Sequence, residues 1–415
     1  MTAQLSDVDL RQWRDRKRYL WLMGLIAPTA LFWMIPVVWG LNLLGWHAAA
    51  QVPFWIGPIL LFILLPALDF KFGPDGQNPP DEVMEQLEND RYYRYCTYVY
   101  IPFQYASVIA GAYVFTASDL TWLGFQSALG WPAKIGLALS VGVLGGVGIN
   151  TAHELGHKKD ALERWLSKIT LAQTCYGHFY IEHNRGHHVR VATPEDPASA
   201  RFGESFWEFL PRSVWGSLRS AWRLEKQRLR RLGKGPLHLN NDVLNAWLMS
   251  AILWGALIAG FGPSLIPYVI IQAIFGFSLL EAVNYLEHYG LLRQKTDSGR
   301  YERCAPVHSW NSDHIVTNLF LYHLQRHSDH HANPTRRYQT LRSVQGAPNL
   351  PRGYASMIAL TYVPALWRRV MDHRVLEHYN GDVTRVNLHP RVRSKVLTKY
   401  GAGNEVSRSE GGAAT

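Results

Sequence analysis

The stretch "NTAHELGHKK" (150–159) admits two readings, and the fold follows from which one holds. Its centre, HELGH, has the form of the zinc-peptidase signature: His153 and His157 lie one helical turn apart, with Glu154 between them as the general base. The same residues serve any metal site that needs two imidazoles on one helix face. The other histidines of the chain decide between the two.

The chain has 18 histidines, and half of them fall in four short patches. HELGH supplies His153 and His157, and "EHNRGHH" (182–188) supplies His183, His187 and His188. "NYLEHYG" (284–290) supplies His288, and "HSDHH" (327–331) supplies His327, His330 and His331. On α-helical spacing His183 and His187 share a face, with His188 about 100° round and placed for a second metal. His327, His330 and His331 follow the i, i+3, i+4 rule and cover one continuous face.

Zinc closes its shell with about four ligands, so nine candidates point to two metals. Neutral imidazole suits iron, copper and zinc. The low methionine count, 7, and the lack of a Met–His cluster argue against copper. A zinc peptidase would use His153, His157 and one further ligand and leave the remaining patches idle. An intramembrane zinc metallopeptidase is therefore the alternative from a different class. In the two-metal reading Glu154 holds a ligand imidazole by a hydrogen bond, and Glu182, Glu287, Asp313 and Asp329 are candidates for the same task. The isolated His47, His238, His373, His378 and His389 read as structural.

A mean hydropathy of −0.11 looks soluble only because it averages unlike regions. Six segments, near 20–41, 53–70, 95–117, 133–152, 243–262 and 265–287, are long and apolar enough to cross about 30 Å of hydrocarbon. Arg11, Arg14, Arg16, Lys17 and Arg18 precede the first segment, and Lys158, Lys159, Arg190, Arg223, Lys226, Arg228, Arg230, Arg231 and Lys234 follow the fourth. The connections 42–52 and 118–131 carry no lysine or arginine. The positive-inside rule then puts both termini and all the histidine patches on the cytoplasmic side. The net charge of +10 thus reads as a face toward lipid headgroups and an acidic protein, not toward nucleic acid.

The expected organisation is a leader over 1–19, a six-helix membrane domain over 20–290 with a His-rich insertion at 153–242, a His-rich cytoplasmic region over 291–395, and a disordered tail over 396–415. The stretch 205–235 places Trp207, Trp215 and Trp222 among arginines at near-helical intervals. That pattern fits either an interfacial amphipathic helix or a helix packed on the cytoplasmic region. Three cysteines far apart, Cys96, Cys175 and Cys304, exclude a thiolate zinc site, an in-chain rubredoxin and an iron–sulfur domain.

Boxes of the forms HxxxH, HxxxHH and HxxHH in a multi-span chain resemble the integral-membrane non-haem di-iron superfamily of desaturases and hydroxylases. Within it, "FYIEHNRGHHVRVATPEDPAS" (179–199), "NYLEHYGLLRQK" (284–295), "WNSDHIVTNLFLYHLQRHSDHHANPTRRYQ" (310–339) and "FGPDGQNPPDE" (72–82) resemble the alkane 1-monooxygenase family over about residues 10–395. The resemblance implies an all-α membrane enzyme holding two iron ions on the nine histidines. It implies O2 as co-substrate and terminal hydroxylation of medium- and long-chain n-alkanes to 1-alkanols. It also implies a bacterial inner membrane and electrons from a rubredoxin, itself reduced by an NADH-dependent reductase. A fatty-acid or aromatic-methyl hydroxylase or desaturase is the nearest rival. An apolar substrate channel is expected among the spans, with Leu60, Leu61, Ile63 and Leu64 of the second segment and the glycine-rich 141–150 as candidate walls.

Overall fold

The structure, a computed structural model, describes residues 13–410 and is helical; among them no β-strand forms, only isolated bridges such as Phe202 with Leu388. Six helices have the length and apolarity to cross a membrane: Arg18–Leu43, Ala49–Phe72, Arg91–Thr116, Trp131–Gly156, Asp242–Phe261 and Pro263–His288. Each contains its expected segment to within a residue or so and most run a few residues further. The extensions are polar ends, where apolarity fades before the helix does.

Length explains where the histidines lie. The fourth and sixth spans each have 26 residues, and at about 1.5 Å per residue each measures about 39 Å against about 30 Å of hydrocarbon. Their last turns must protrude. HELG ends the fourth span, and Glu287 with His288 ends the sixth, on the same side of the bundle. These two helices are also its centre: 83% and 56% of their apolar windows are buried, against 22% for the fifth span.

Lipid tails are as apolar as leucine, so close packing and internal hydrogen bonds must join the spans. At Gly146 an added Cβ would stand 3.1 Å from Leu279 and 3.2 Å from the carbonyl of Gly276, which lets the fourth and sixth helices approach at backbone distance. Three buried glutamines complete the join. Gln104 donates to Gln173 (2.6 Å), Gln173 to Gln272 (3.2 Å), and Gln272 and Trp254 both donate to the backbone carbonyl of Gln173.

The stretch 205–235 forms one helix, Phe206–Arg231, that packs by one face and exposes tryptophans on another. Ser205 caps it, accepting from the N–H of Glu208 while the Glu208 carboxylate accepts from the N–H of Ser205. Phe206, Phe209 and Ala221 are buried, and Trp222 stacks on Trp247 of the fifth span, while Trp207 and Trp215 remain exposed.

One boundary needs correcting. The stretch expected as a disordered tail from 396 belongs to the helix Pro390–Glu410, which packs Val396 and Leu397 on the core. Residues 1–12 of the expected leader and the last five residues lie outside the described residues.

Candidate metal centre

The nine histidines meet below the fourth and sixth spans in two groups. His153, His157, His183, His188 and His330 form one, and His187, His288, His327 and His331 the other; within each group one ring nitrogen per residue lies within 4.8 Å of all the others. The groups adjoin, with the rings of His188 and His331 centred 4.5 Å apart.

The partition differs from the α-helical expectation because residues His183–His187 form a π turn. Bonding i to i+5 widens the turn, so His183 pairs with His188 (Nε2 to Nε2, 3.0 Å) and His187 swings into the other group. Gly186 makes room: a Cβ there would meet the Glu182 carboxylate at 2.5 Å and the Arg190 guanidinium at 2.6 Å. HSDHH also divides. His327 and His331, one turn apart, join one group, and His330 leaves their face for the other.

In the five-histidine group the Nε2 atoms stand 2.9 Å (His153–His330), 3.2 Å (His330–His188), 3.0 Å (His188–His183) and 3.1 Å (His183–His157) apart. In the other, His327 is 3.2 Å from His288 and 2.9 Å from His331. Two imidazole nitrogens on adjacent positions of one ion, at bonds of about 2.1 Å, would lie about 3.0 Å apart. Protonation favours the same conclusion. Burial, reinforced by neighbouring histidines, pushes His157, His183, His188, His327, His330 and His331 well below the usual imidazole range. Neutral rings facing one another offer lone pairs that a cation would satisfy together. His187 displays this individually: its Nδ1 lies 2.9 Å from Asp196, while its buried Nε2 has no partner. These residues could hold two metal ions.

Of the five carboxylates expected to support imidazoles, Glu287 touches one, with Oε2 3.2 Å from Nε2 of His327. Glu154 points instead to Lys158 at 2.9 Å, because one residue past His153 lies about 100° round the helix. Lys158 continues to the carbonyl of Arg336 at 2.7 Å, so this pair ties HELGH to the loop after HSDHH. Glu182 binds Arg190, Asp329 binds Arg336, and Asp313 accepts from Ser343; none of the three contacts a ring. The residue that sequence reasoning missed is Asp196. Burial alone would raise its pKa, but the His187 ring and the Ser199 hydroxyl hold it at about 2. Its signal was the proline-bounded turn "TPEDP" (193–197), which doubles the chain back on the helix carrying His187.

Above the two groups lies an apolar cavity of about 40 Å³ lined by Leu61, Val147, Asn150, Val283, Phe320 and Leu324, among others. Asn150 precedes His153 by one turn, and Leu324 precedes His327 by three residues. None of the lining residues is charged, and their polar atoms are engaged: Asn150 donates to the carbonyl of Leu321 (2.7 Å) and Thr317 to Asp69. Of the candidate walls, Leu61 lines this space, whereas Leu60 and Leu64 line a groove on the outside of the bundle and Ile63 is 64% exposed. The glycine-rich stretch both lines the cavity, at Gly146, and packs helices.

A family model described as fatty acid desaturase matches residues 129–361, which hold all nine histidines. The chain is 47% identical over 392 residues to an alkane 1-monooxygenase of Acinetobacter baylyi, covering 93% of this chain and 92% of that one. It is 45% identical over 388 residues to an alkane 1-monooxygenase of Pseudomonas putida, again covering 93% and 92%. A xylene/toluene monooxygenase hydroxylase component of Pseudomonas putida is 27% identical over 236 residues, 56% of this chain and 62% of that one. Histidine patches, spans and full-length similarity agree: the chain belongs to the alkane 1-monooxygenase family.

Proposed function

We propose that the protein hydroxylates the terminal methyl group of medium- and long-chain n-alkanes to 1-alkanols, with O2 and two electrons from a rubredoxin. The observation that carries this reading is the uncharged, polar-satisfied cavity directly above two histidine groups. The end of a substrate that enters there meets no charge, which fits a methyl terminus held by shape and the exclusion of water.

In this reading one iron would be held by His153, His157, His183, His188 and His330 and the other by His187, His288, His327 and His331. Together they would supply the activation of O2 that an unactivated C–H bond demands. Asp196 fixes His187 with its Nδ1 protonated and its Nε2 free to bind. The buried walls of Phe320, Leu324 and Val283 keep water from the reacting methyl. Each methylene taken from water into such walls contributes about 0.8 kcal/mol, so a narrow space discriminates by length and end rather than by polar contact. Electrons would enter at the half-buried His188, whose neighbour Val189 is 66% exposed between Arg185 and Arg190. An acidic donor such as a rubredoxin, recharged by its NADH-dependent reductase, fits the chain's net charge of +10. Positive-inside logic supports a bacterial inner-membrane setting with this face in the cytoplasm.

Purified protein in lipid vesicles, given rubredoxin, its reductase, NADH, O2 and octane, should form 1-octanol. Turnover of xylene or of a fatty acid with no alcohol from octane would overturn the assignment.

A further inference from the structure

Behind the HELGH patch the aromatic side chains form a line. Tyr338 donates its backbone N–H to Glu154, the neighbour of His153, at 3.4 Å. Its ring is centred 6.2 Å from that of Tyr93, Tyr93 lies 5.4 Å from Tyr92, and Tyr92 lies 6.1 Å from Tyr19. Trp21 branches from Tyr338 at 5.0 Å. Tyr338, Tyr93 and Trp21 are buried, whereas Tyr19 is 74% exposed. Oxidisable rings therefore follow one another from the helix of His153 to the surface.

Edge-to-face rings alone are ordinary packing. The second feature is a base at the middle of the line. The Tyr93 hydroxyl donates to Oδ2 of Asp15 at 2.7 Å, and Nε1 of Trp21 donates to the same oxygen at 3.2 Å. A phenol that loses an electron becomes a strong acid, so its proton must leave with the electron. Asp15 stands where it can take that proton, which makes Tyr93 the ring that yields an electron most readily. Tyr338 has no such partner, because its hydroxyl donates to the backbone carbonyl of Tyr93 at 3.1 Å, and a carbonyl is a weak base. Arg18 lies over Tyr92 at 4.3 Å, and Asp90 balances its charge.

We infer that Tyr338, Tyr93, Tyr92 and Tyr19 form a relay that drains oxidising equivalents from the histidine centre to the surface when no substrate is in place. This rests on the proposed function for the source of the oxidant, an O2-derived species that would otherwise attack the histidines themselves. In each event one electron passes from Tyr93 through the Tyr338 ring and reduces the oxidant by one electron. The Tyr93 proton moves to Asp15, leaving a neutral tyrosyl radical beside a carboxylic acid. Tyr19 then refills Tyr93 with an electron through Tyr92, Asp15 returns its proton to Tyr93, and the Tyr19 proton goes to water. A thiol in solution gives the exposed Tyr19 radical a hydrogen atom and closes the cycle.

The test marks radicals in the full-length, iron-loaded protein in lipid vesicles, reduced and then given O2 without octane. A nitroso spin trap, mapped by peptide mass spectrometry, should add to Tyr19, and octane should suppress the adduct. Tyr95 and Tyr113 are 54% and 43% exposed but pair with Tyr98 and Trp122 instead, so they should stay unmarked. Tyr93→Phe should remove the Tyr19 adduct, because a phenyl ring yields no electron at this potential and has no proton for Asp15. An adduct that survives Tyr93→Phe, or equal adducts on Tyr95, would reveal a diffusing oxidant and overturn the relay. Should Tyr93→Phe fail to fold, Tyr92→Phe changes a half-buried ring and should remove the adduct equally; its persistence overturns the relay. Metal-free protein separates the two readings. Illuminated tris(bipyridine)ruthenium with persulfate should oxidise Tyr19 from outside, and the vacancy should settle on Tyr93 as a long-lived tyrosyl signal in electron paramagnetic resonance, abolished by Tyr93→Phe. That signal without 1-octanol from the iron-loaded chain would sink the function and leave the ring-to-ring path. 1-Octanol from a protein that never gives the signal would do the reverse.

Discussion

The five-histidine group takes its rings from three patches, leaves His157 and His188 half-buried, and makes its closest contacts from imidazole to imidazole. The four-histidine group is wholly buried; Asp196 on His187 and the carbonyl of His308, 3.3 Å from His288, brace it from outside, and Glu287 reaches Nε2 of His327 on the inner side, where the rings face one another. Nine copies of one side chain thus make two unlike environments. An all-nitrogen site near the surface suits exchange with a donor, and a buried site with carboxylates nearby suits a tightly held ion. Burial and outer hydrogen bonds, not ligand type, separate them.

The largest test of that contrast removes one ring from each group. His330→Ala should abolish activity and lower iron from about two per chain to about one. His288→Ala should do the same, and the iron that remains should be the more easily stripped by a chelator, because it sits in the half-buried group. Equal chelator sensitivity of the two variants, measured by elemental analysis over time, would erase the distinction.

Asp196→Asn probes the bracing alone. It should reduce metal retention and activity about 10- to 100-fold, as loss of a partner to a ligand histidine does, with the deficit confined to the four-histidine group. Spectroscopy of the bound metal would detect one perturbed ion beside one unperturbed ion.

Glu154→Gln discriminates between the two readings of HELGH. Glu154 and Lys158 form a buried ion pair, and breaking such a pair destabilises by about 3–5 kcal/mol. The variant should therefore melt earlier in a thermal scan while the folded fraction keeps its turnover. A peptidase base would give the opposite result, normal stability with no activity.

The smallest effect is on pH. Burial pushes the Asp372 carboxyl up to about 6, against a hydrogen bond from the hydroxyl of Tyr289, the residue after His288. The folded chain therefore keeps a proton that the unfolded chain, near 3.8, has released. Stability falls as pH rises from about 4 to 6 and is level above that. Asp372→Asn should outlast the wild type in melting temperature by a margin that grows through this window and then stops growing. A constant margin would mean the carboxyl does not titrate there.

The sequence revealed what depends on residue type and spacing. Span positions followed from apolarity, and the nine histidines from their density in short patches. It did not reveal which group each ring joins. That depends on a π turn that widens only because Gly186 leaves room for Glu182 and Arg190, a tertiary contact invisible to α-helical arithmetic. Asp196 was hidden for a related reason, since its role requires the chain to double back through a turn. The second span was legible as a span but not by face: its own π turn sends Leu61 inward and leaves Ile63 to lipid.

The most direct measurement is the iron and zinc content of the purified protein, taken together with the Mössbauer spectrum of the iron-57-loaded form. Two bound sites predict about two irons per chain, zinc in trace amount, and two resolvable iron environments. One zinc per chain, or iron in a single environment, would contradict the paired centre.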